Sequence, residues 1–115
     1  DPNINAHMMY DEQDNSIHDL FEQDDWDGLA DLLFAALSDP FLPRFFRAKY
    51  HILSAWCSKE PRVHLDLAKT RIENIVEVLK ADGQPDEEID RRLSVLRSMV
   101  ETAEGAIEEV DVDEQ

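Results

Sequence analysis

Apolar side chains recur at three- and four-residue steps along most of this chain. The most regular run has spacings of 4, 3, 4, 3, 4 and 3, and its members are Ile89, Leu93, Leu96, Val100, Ala103, Ile107 and Val110. Such spacing places the side chains on one face of an α-helix, whereas a half-buried strand alternates at every second residue. No segment shows sustained alternation. We therefore predict an all-α fold, an antiparallel helical array or bundle of four to five helices.

Proline residues mark the expected helix boundaries. A first helical segment is expected from Ser16, which can cap it, to Asp39-Pro40, because proline disfavours the helical conformation of the preceding residue. Residues 23–27 either interrupt this segment or continue it. Proline is favourable in the first turn of a helix, so later helices are expected to begin near Pro43, Pro61 and Pro85.

The helix that follows Pro43 is expected to run to about Cys57 and is apolar over most of its circumference. Its one consistent polar line consists of Arg44, Arg47, His51, Ser54 and Ser58. A helix of this composition is buried by neighbours on two or more sides, so we expect it to be the central helix. The next helix is expected to stop at Asp82-Gly83.

The length of 115 residues suffices for one hydrophobic core. We predict a single helical domain over 16–110, between a mobile acidic N-terminal tail over 1–15 and an acidic C-terminal tail over 111–115. Residues 1–15 mix turn-forming residues with acids and show no sustained period. Because the chain starts at Asp1 rather than Met, we also expect it to be a piece of a longer protein.

The net charge limits the classes of partner. The chain has 27 acidic and 11 basic residues, a formal net charge of −16. Binding to nucleic acid needs a basic face, so this charge argues against nucleic-acid contact and disfavours anionic membranes. No apolar run approaches the roughly 18 residues of a spanning helix. The single cysteine, Cys57, allows no intrachain disulfide, and we expect an intracellular protein, cytoplasmic or nuclear.

Charge is also segregated along the sequence. Residues 1–40 contain 11 acids and no Lys or Arg, residues 41–80 carry a net charge of +4, and residues 81–115 carry −9. One interpretation is that the acidic arms fold against the mildly basic middle. The other is that surplus acid on the outer helices forms a surface for a basic partner.

The segment 26–79 resembles tetratricopeptide-type helical repeats. Ala30 and Phe34 are similar to the small and aromatic residues of a repeat's second helix, and Asp39-Pro40 follows where a repeat would end. Tyr50 and Leu53-Ser54 are similar to the next first helix, and its second helix is matched by Ala68, Ile72, Ile75 and Val76. Ala30 and Ala68 lie 38 residues apart, more than the family's repeat of 34. The resemblance implies a scaffold that recognises a peptide or protein.

No catalytic or metal-binding pattern stands out. No two of the four histidines have the spacing of three or four residues that places ligands on one helix face. Cys57 lies beside Trp56 in the most apolar helix, where a cysteine is usually a packing residue. Only three glycines are present, so no phosphate-binding loop is expected. We predict no enzymatic activity, no metal and no cofactor.

The predicted function is that of a protein–protein interaction module or adaptor that binds another protein or peptide through a helical surface. The alternatives are an acidic inhibitor or nucleic-acid mimic that binds a basic protein site, and a helical subdomain of a larger protein. We expect a monomer, or a homodimer through the last helix, whose apolar seam more simply contacts the preceding helix. The candidate partner-binding residues are Phe21 and Trp26, in an acidic-aromatic segment, and Arg44, Arg47 and His51.

Overall fold

The structure, a computed structural model, describes the backbone of residues 2–113 and the side chains of residues 8–109. It consists of five helices, which are α1 (Pro2–Glu22), α2 (Trp26–Leu37), α3 (Arg44–Ser54), α4 (Pro61–Ala81) and α5 (Asp86–Asp113). No strand occurs within these described residues. The predicted all-α class and the number of helices are thus confirmed. Every helix in the described ranges is too short or too polar to cross a membrane.

The contacts of the chain divide it after Leu42 into two compact units. Unit 1 contains α1 and α2, and unit 2 begins at Pro43 and contains α3, α4 and α5. The sequence predicts one domain over 16–110, whereas the structure has this division within that range. The segment between α2 and α3 carries Pro40 and Pro43, which interrupt helical hydrogen bonding there. Each unit is described by itself.

Residues 1–15 were expected to form a tail, but the structure places residues 2–15 in α1. Ser16 therefore lies inside a helix and caps none. Tyr10 and Ile17, seven residues or about two turns apart, are both buried. The Tyr10 hydroxyl donates a hydrogen bond of 2.8 Å to the carboxylate of Asp39. These long-range contacts stabilise a helix that has little apolar periodicity of its own.

The acidic segment 23–27 interrupts the first helical region, as one of the two interpretations expected. Asp24 has a φ of 56°, in the left-handed region that ends a helix. Asp25 then caps α2, because its carboxylate accepts a hydrogen bond of 3.1 Å from the backbone N–H of Gly28. A Cβ atom at Gly28 would lie 2.7 Å from Asp25 Oδ2, so a larger residue here would make the Asp25 carboxylate move from its cap position. α2 ends just before Asp39-Pro40, as predicted.

Unit 2 has a continuous core shared by its three helices. The buried members are Ala48 and Ile52 of α3 with Ala55 directly after it, then Leu65, Ala68, Ile72 and Ile75 of α4, and Ile89, Leu93, Leu96, Val100 and Ala103 of α5. The seam of α5 therefore packs inside the unit, which confirms the expected contact with the preceding helix. Ile107 is partly buried, and the Val110 side chain lies outside the described residues.

The helix ends in unit 2 agree with the sequence predictions except for the ends of α3 and α5. Gly83, with a φ of 84°, ends α4, and the N–H of Gln84 donates to the carbonyl of Leu79 at 3.0 Å. α5 continues to Asp113 instead of ending at 110, since neither proline nor glycine interrupts residues 111–113. α3 ends at Ser54 rather than near Cys57. Ser54 is buried and donates to the carbonyl of Tyr50 at 2.7 Å, so it leaves the predicted polar line.

Candidate functional site

The α3–α4 pair brings two histidines together. His51 lies in the last turn of α3 and His64 in the first turn of α4, and both are half-buried. Their Nδ1 atoms lie 3.5 Å apart and their rings are 5.7 Å apart, with an angle of 31° between the ring planes. A short connection between two packed helices makes them antiparallel, which is why the end of one meets the start of the next.

Two arginines add positive charge around this pair. Arg47 stands one turn before His51 on α3, and Arg71 stands two turns after His64 on α4. Burial, followed by the charges of His64, Arg71 and Arg47, lowers the pKa of His51 from 6.5 to about 4. We call Arg47, His51, His64 and Arg71 the His–Arg cluster. Near neutral pH it presents a neutral His51 imidazole beside two guanidinium groups.

Neither α3 nor the α3-facing side of α4 contributes an acid to the His–Arg cluster. α3 contains no Asp or Glu. All three acids of α4, which are Asp66, Glu73 and Glu77, line cavities between α4 and α5. The two sides of α4 therefore differ in charge, although the whole chain is strongly acidic.

The second surface of unit 2 is a groove between α4 and α5, with a volume of about 640 Å³. α4 contributes Lys69, Ile72, Glu73, Val76, Glu77 and Lys80, and α5 contributes Arg97, Val100, Glu101 and Glu104. The apolar members form its floor, whereas the rims carry charges of both signs. We call this surface the α4–α5 groove.

Ion pairs fix the rims of the α4–α5 groove. Lys69 Nζ lies 3.3 Å from Glu104 Oε1 and joins the two helices at one end. There a smaller cavity of about 240 Å³ continues the groove past Leu65 and Ile107. Arg97 pairs with Asp90 on α5 at 3.0 Å. The groove thus has a defined charge pattern over an apolar floor.

The first turns of α5 carry a separate ion-pair group. Glu88 accepts hydrogen bonds from Arg91 and Arg92, the latter at 2.9 Å. These bonds, Arg91 first, lower the pKa of Glu88 to about 2. An acid in the first turn also complements the helix dipole, so this group has a structural explanation.

The sequence-predicted residues divide between the units. Arg47 and His51 come together in unit 2, and Arg44 is exposed at the start of the same helix. Phe21 and Trp26 lie in unit 1 at the end of α1 and the start of α2, where their rings meet edge to face at 5.5 Å. Trp26 is 38% exposed, so the aromatic pair is accessible at its Trp26 side.

Sequence reasoning missed His64, Arg71 and the α4–α5 groove. The signal in the sequence was weak, since His51 and His64 are 13 residues apart on different helices. It consisted of positions 64, 67, 71 and 74, a helical line that carries no acid in an acid-rich chain. Two further exposed aromatics in unit 1, Phe34 at 77% and Phe41 at 83%, were also not proposed as binding residues.

The reactivity of Cys57 and of the two histidines follows from their surroundings. Burial raises the pKa of the Cys57 thiol, which disfavours the reactive thiolate. Across the described residues, no group of three or more His, Cys, Asp or Glu side chains could hold a metal ion. His51 and His64 have no third ligand in that part of the chain, and the arginines beside them repel a cation.

No protein-family model matches the chain, and neither a curated protein nor a solved structure matches it. The resemblance to tetratricopeptide repeats therefore stays a prediction.

Proposed function

We propose that this protein is a protein–protein interaction module that binds a helical segment of a partner in the α4–α5 groove, without catalysis. The observation that supports this function is the combination of an apolar floor with two charged rims. Amphipathic helices bind in grooves of this kind through apolar side chains at three- and four-residue steps. The charges on the rims can then select the partner by its charge pattern.

The dimensions of the α4–α5 groove suit a short helix. Its lining on α4 extends from Lys69 to Lys80, about 16 Å along the helix axis. A partner helix of about three turns covers this length. The floor formed by Ile72, Val76 and Val100 offers apolar contact along the groove, and its openness to solvent allows a helix to enter from the side.

The acidic-mimic alternative is less favoured by the same surface. A nucleic-acid mimic needs carboxylates spread over one face without intervening cations. The rims of the α4–α5 groove mix the two signs, since three cations stand among four acids: Lys69, Lys80 and Arg97, and Glu73, Glu77, Glu101 and Glu104. This mixture is the pattern of an adaptor with a charge-selective groove.

We propose a monomer, because the apolar seam of α5 is occupied by α3 and α4 within one chain. We also propose an intracellular place of action, since the single Cys57 allows no intrachain disulfide. We also propose that the segment 26–79 is a tetratricopeptide-like helical repeat.

The function can be tested with Val76→Glu, which places a charge in the floor of the groove. Its matched control is Val63→Glu, at an exposed position of the same helix outside the groove lining. A displayed library of amphipathic helical peptides is selected on the wild-type protein, and the selected peptides are titrated against both variants. We expect Val76→Glu to weaken binding at least about tenfold and the control to change it less than about twofold.

A second variant excludes unfolding as the cause. Glu101→Lys reverses a charge on the exposed rim and leaves the core untouched. It should change which peptides bind, while circular dichroism stays that of the wild type. If the selected peptides bind both groove variants as tightly as they bind the wild-type protein, the α4–α5 groove is not the binding surface.

A further inference from the structure

We propose that the His–Arg cluster on the α3–α4 face is a binding site for a phosphate monoester dianion. This site lies on the side of α4 away from the α4–α5 groove, so it is independent of the function proposed above. The ligand class is inferred from the charge, the donors and the protonation chemistry of four side chains.

The charge of the α3–α4 face differs from that of the whole chain. The net charge of the chain is −16, yet α3 contains no acid, and the neighbouring line on α4 consists of His64, Leu67, Arg71 and Asn74. The acid nearest in sequence is Glu60, exposed at the N-cap position of α4. An anion that approaches this face thus meets cationic and neutral donors, whereas an anion is repelled by most of the remaining surface.

The His–Arg cluster also supplies hydrogen-bond donors for an anion. Arg71 is exposed on α4, two turns from His64, and a guanidinium offers paired N–H groups that match two oxygens of a phosphate. The Nδ1 atoms of His51 and His64 lie at a hydrogen-bond distance of 3.5 Å, so one ring can donate to the other while His51 is neutral. Two protonated imidazoles that face one another in this way repel, and an oxyanion beside them removes that repulsion while it accepts their N–H groups.

The charges around His51 favour a ligand with two negative charges over a ligand with one. The charged groups that act on His51 are Arg47 from α3, and His64 and Arg71 from α4, and each of them lowers its pKa. A carboxylate neutralises one of these charges. A phosphate monoester carries a charge of about −1.5 to −2 near neutral pH and three acceptor oxygens, so it can neutralise two and bridge both helices.

Binding of a dianion should be accompanied by proton uptake from solvent at the His51 imidazole. An anion stabilises the protonated form of His51, so by linkage a lower pH strengthens anion binding. Phosphate itself gains a proton as the pH falls, whereas sulfate remains a dianion between pH 7 and pH 5. Sulfate therefore separates titration of the protein from titration of the ligand.

The test follows the imidazole resonances of the whole chain by NMR during titration with inorganic phosphate at pH 7 and with sulfate at pH 7 and pH 5. We expect shifts of His51 and His64 at millimolar or lower phosphate, and acetate weaker by at least about tenfold. Sulfate should bind at least about threefold more tightly at pH 5 than at pH 7. Equal affinity for acetate, or no pH dependence for sulfate, would overturn the proposal.

Two matched variants locate the site. Arg71→Gln should weaken phosphate binding at least about tenfold, because it removes the exposed guanidinium of the cluster. Arg62→Gln makes the same change on the α5 side of α4, where Arg62 lines the smaller cavity, and should change the affinity less than about twofold. If both variants weaken binding equally, the anion is held by diffuse charge and the proposed site is wrong.

A further titration compares the sources of the phosphate group. Phosphoserine in a short blocked peptide is titrated beside inorganic phosphate. Tighter binding of the peptide indicates a phosphorylated side chain of a partner, and tighter binding of inorganic phosphate indicates a free ligand. Failure of both to shift His51 at millimolar concentration would refute the site while leaving the α4–α5 groove unaffected.

Discussion

Unit 1 and unit 2 are both helical, but different interactions stabilise them. Unit 2 has a buried cluster to which all three helices contribute, and the three acids of α4 all line cavities on its α5 side. Unit 1 has no Lys or Arg, and its two helices are stabilised by the local Asp25 cap and by the long-range hydrogen bond between Tyr10 and Asp39. Regular apolar spacing thus accompanies a three-helix core in unit 2, whereas the two-helix pair of unit 1 includes a helix with little such spacing.

The two units also differ in how much apolar surface they expose. Unit 1 exposes three large aromatic side chains, Trp26 to 38%, Phe34 to 77% and Phe41 to 83%. In unit 2 the largest exposed fraction among the large apolar side chains of residues 43–109 is that of Val95, at 59%. A two-helix pair has fewer neighbours with which to cover its apolar residues. Unit 1 therefore depends more on polar capping for its stability, and unit 2 depends more on burial.

The largest expected effect is on the core of unit 2. Leu96→Ala removes a fully buried side chain of α5 and should lower the free energy of unfolding by roughly 2–5 kcal/mol. Hydrogen exchange should show the loss of protection in α3, α4 and α5 and little change in α1 and α2. Equal loss of protection in both units would contradict the division after Leu42.

The second prediction concerns the pH dependence of unit 2. The pKa of His51 in the folded protein is about 4, below its ordinary value of 6.5. Between these values the unfolded chain binds more protons, so stability should fall as the pH decreases from about 6.5 toward 4. Because His51 is half-exposed, solvent screening limits the loss to about 1–2 kcal/mol.

This pH dependence can be assigned to His51 by urea unfolding between pH 7.5 and pH 5. The lowered pKa of Glu88, about 2, costs stability only as the pH falls below about 4.5 and so lies outside this range. His51→Gln should flatten the pH profile between 6.5 and 5. An unchanged slope in the variant would show that other groups produce it.

The third prediction sharpens the description of unit 1. Asp25→Ala removes the cap of α2 and should cost about 1 kcal/mol in thermal or urea unfolding. Gly28→Ala should also destabilise the wild type, because the new methyl group would lie 2.7 Å from Asp25 Oδ2. In the Asp25→Ala background the clash is gone, and Gly28→Ala should stabilise α2 by up to about 1 kcal/mol. Additive effects of the two changes would contradict this coupling.

Much of unit 2 can be predicted from the sequence because its signals are local. The seam of α5, the proline at the start of α4 and Gly83 at its end each act within a few residues. Most of α1 could not be predicted, because Tyr10 bonds to Asp39, 29 residues away. The His–Arg cluster and the α4–α5 groove depend on which sides of α4 face its neighbours, and no local pattern specifies that arrangement.

The smallest expected effect tests the charge of the α3–α4 face. Arg44 is exposed at the first position of α3, where no acid stands in the first turn and the helix dipole disfavours a cation. Arg44→Glu should therefore stabilise unit 2 by about 0.3–1 kcal/mol in urea unfolding at low ionic strength, and Arg44→Gln by about half as much. Salt near 1 M should remove most of the gain, because it screens exposed charges beyond about 3 Å. A loss of stability that is larger at low salt would instead mean that Arg44 is held by an acid. That result would favour the interpretation in which the acidic arms fold against the basic middle of the chain.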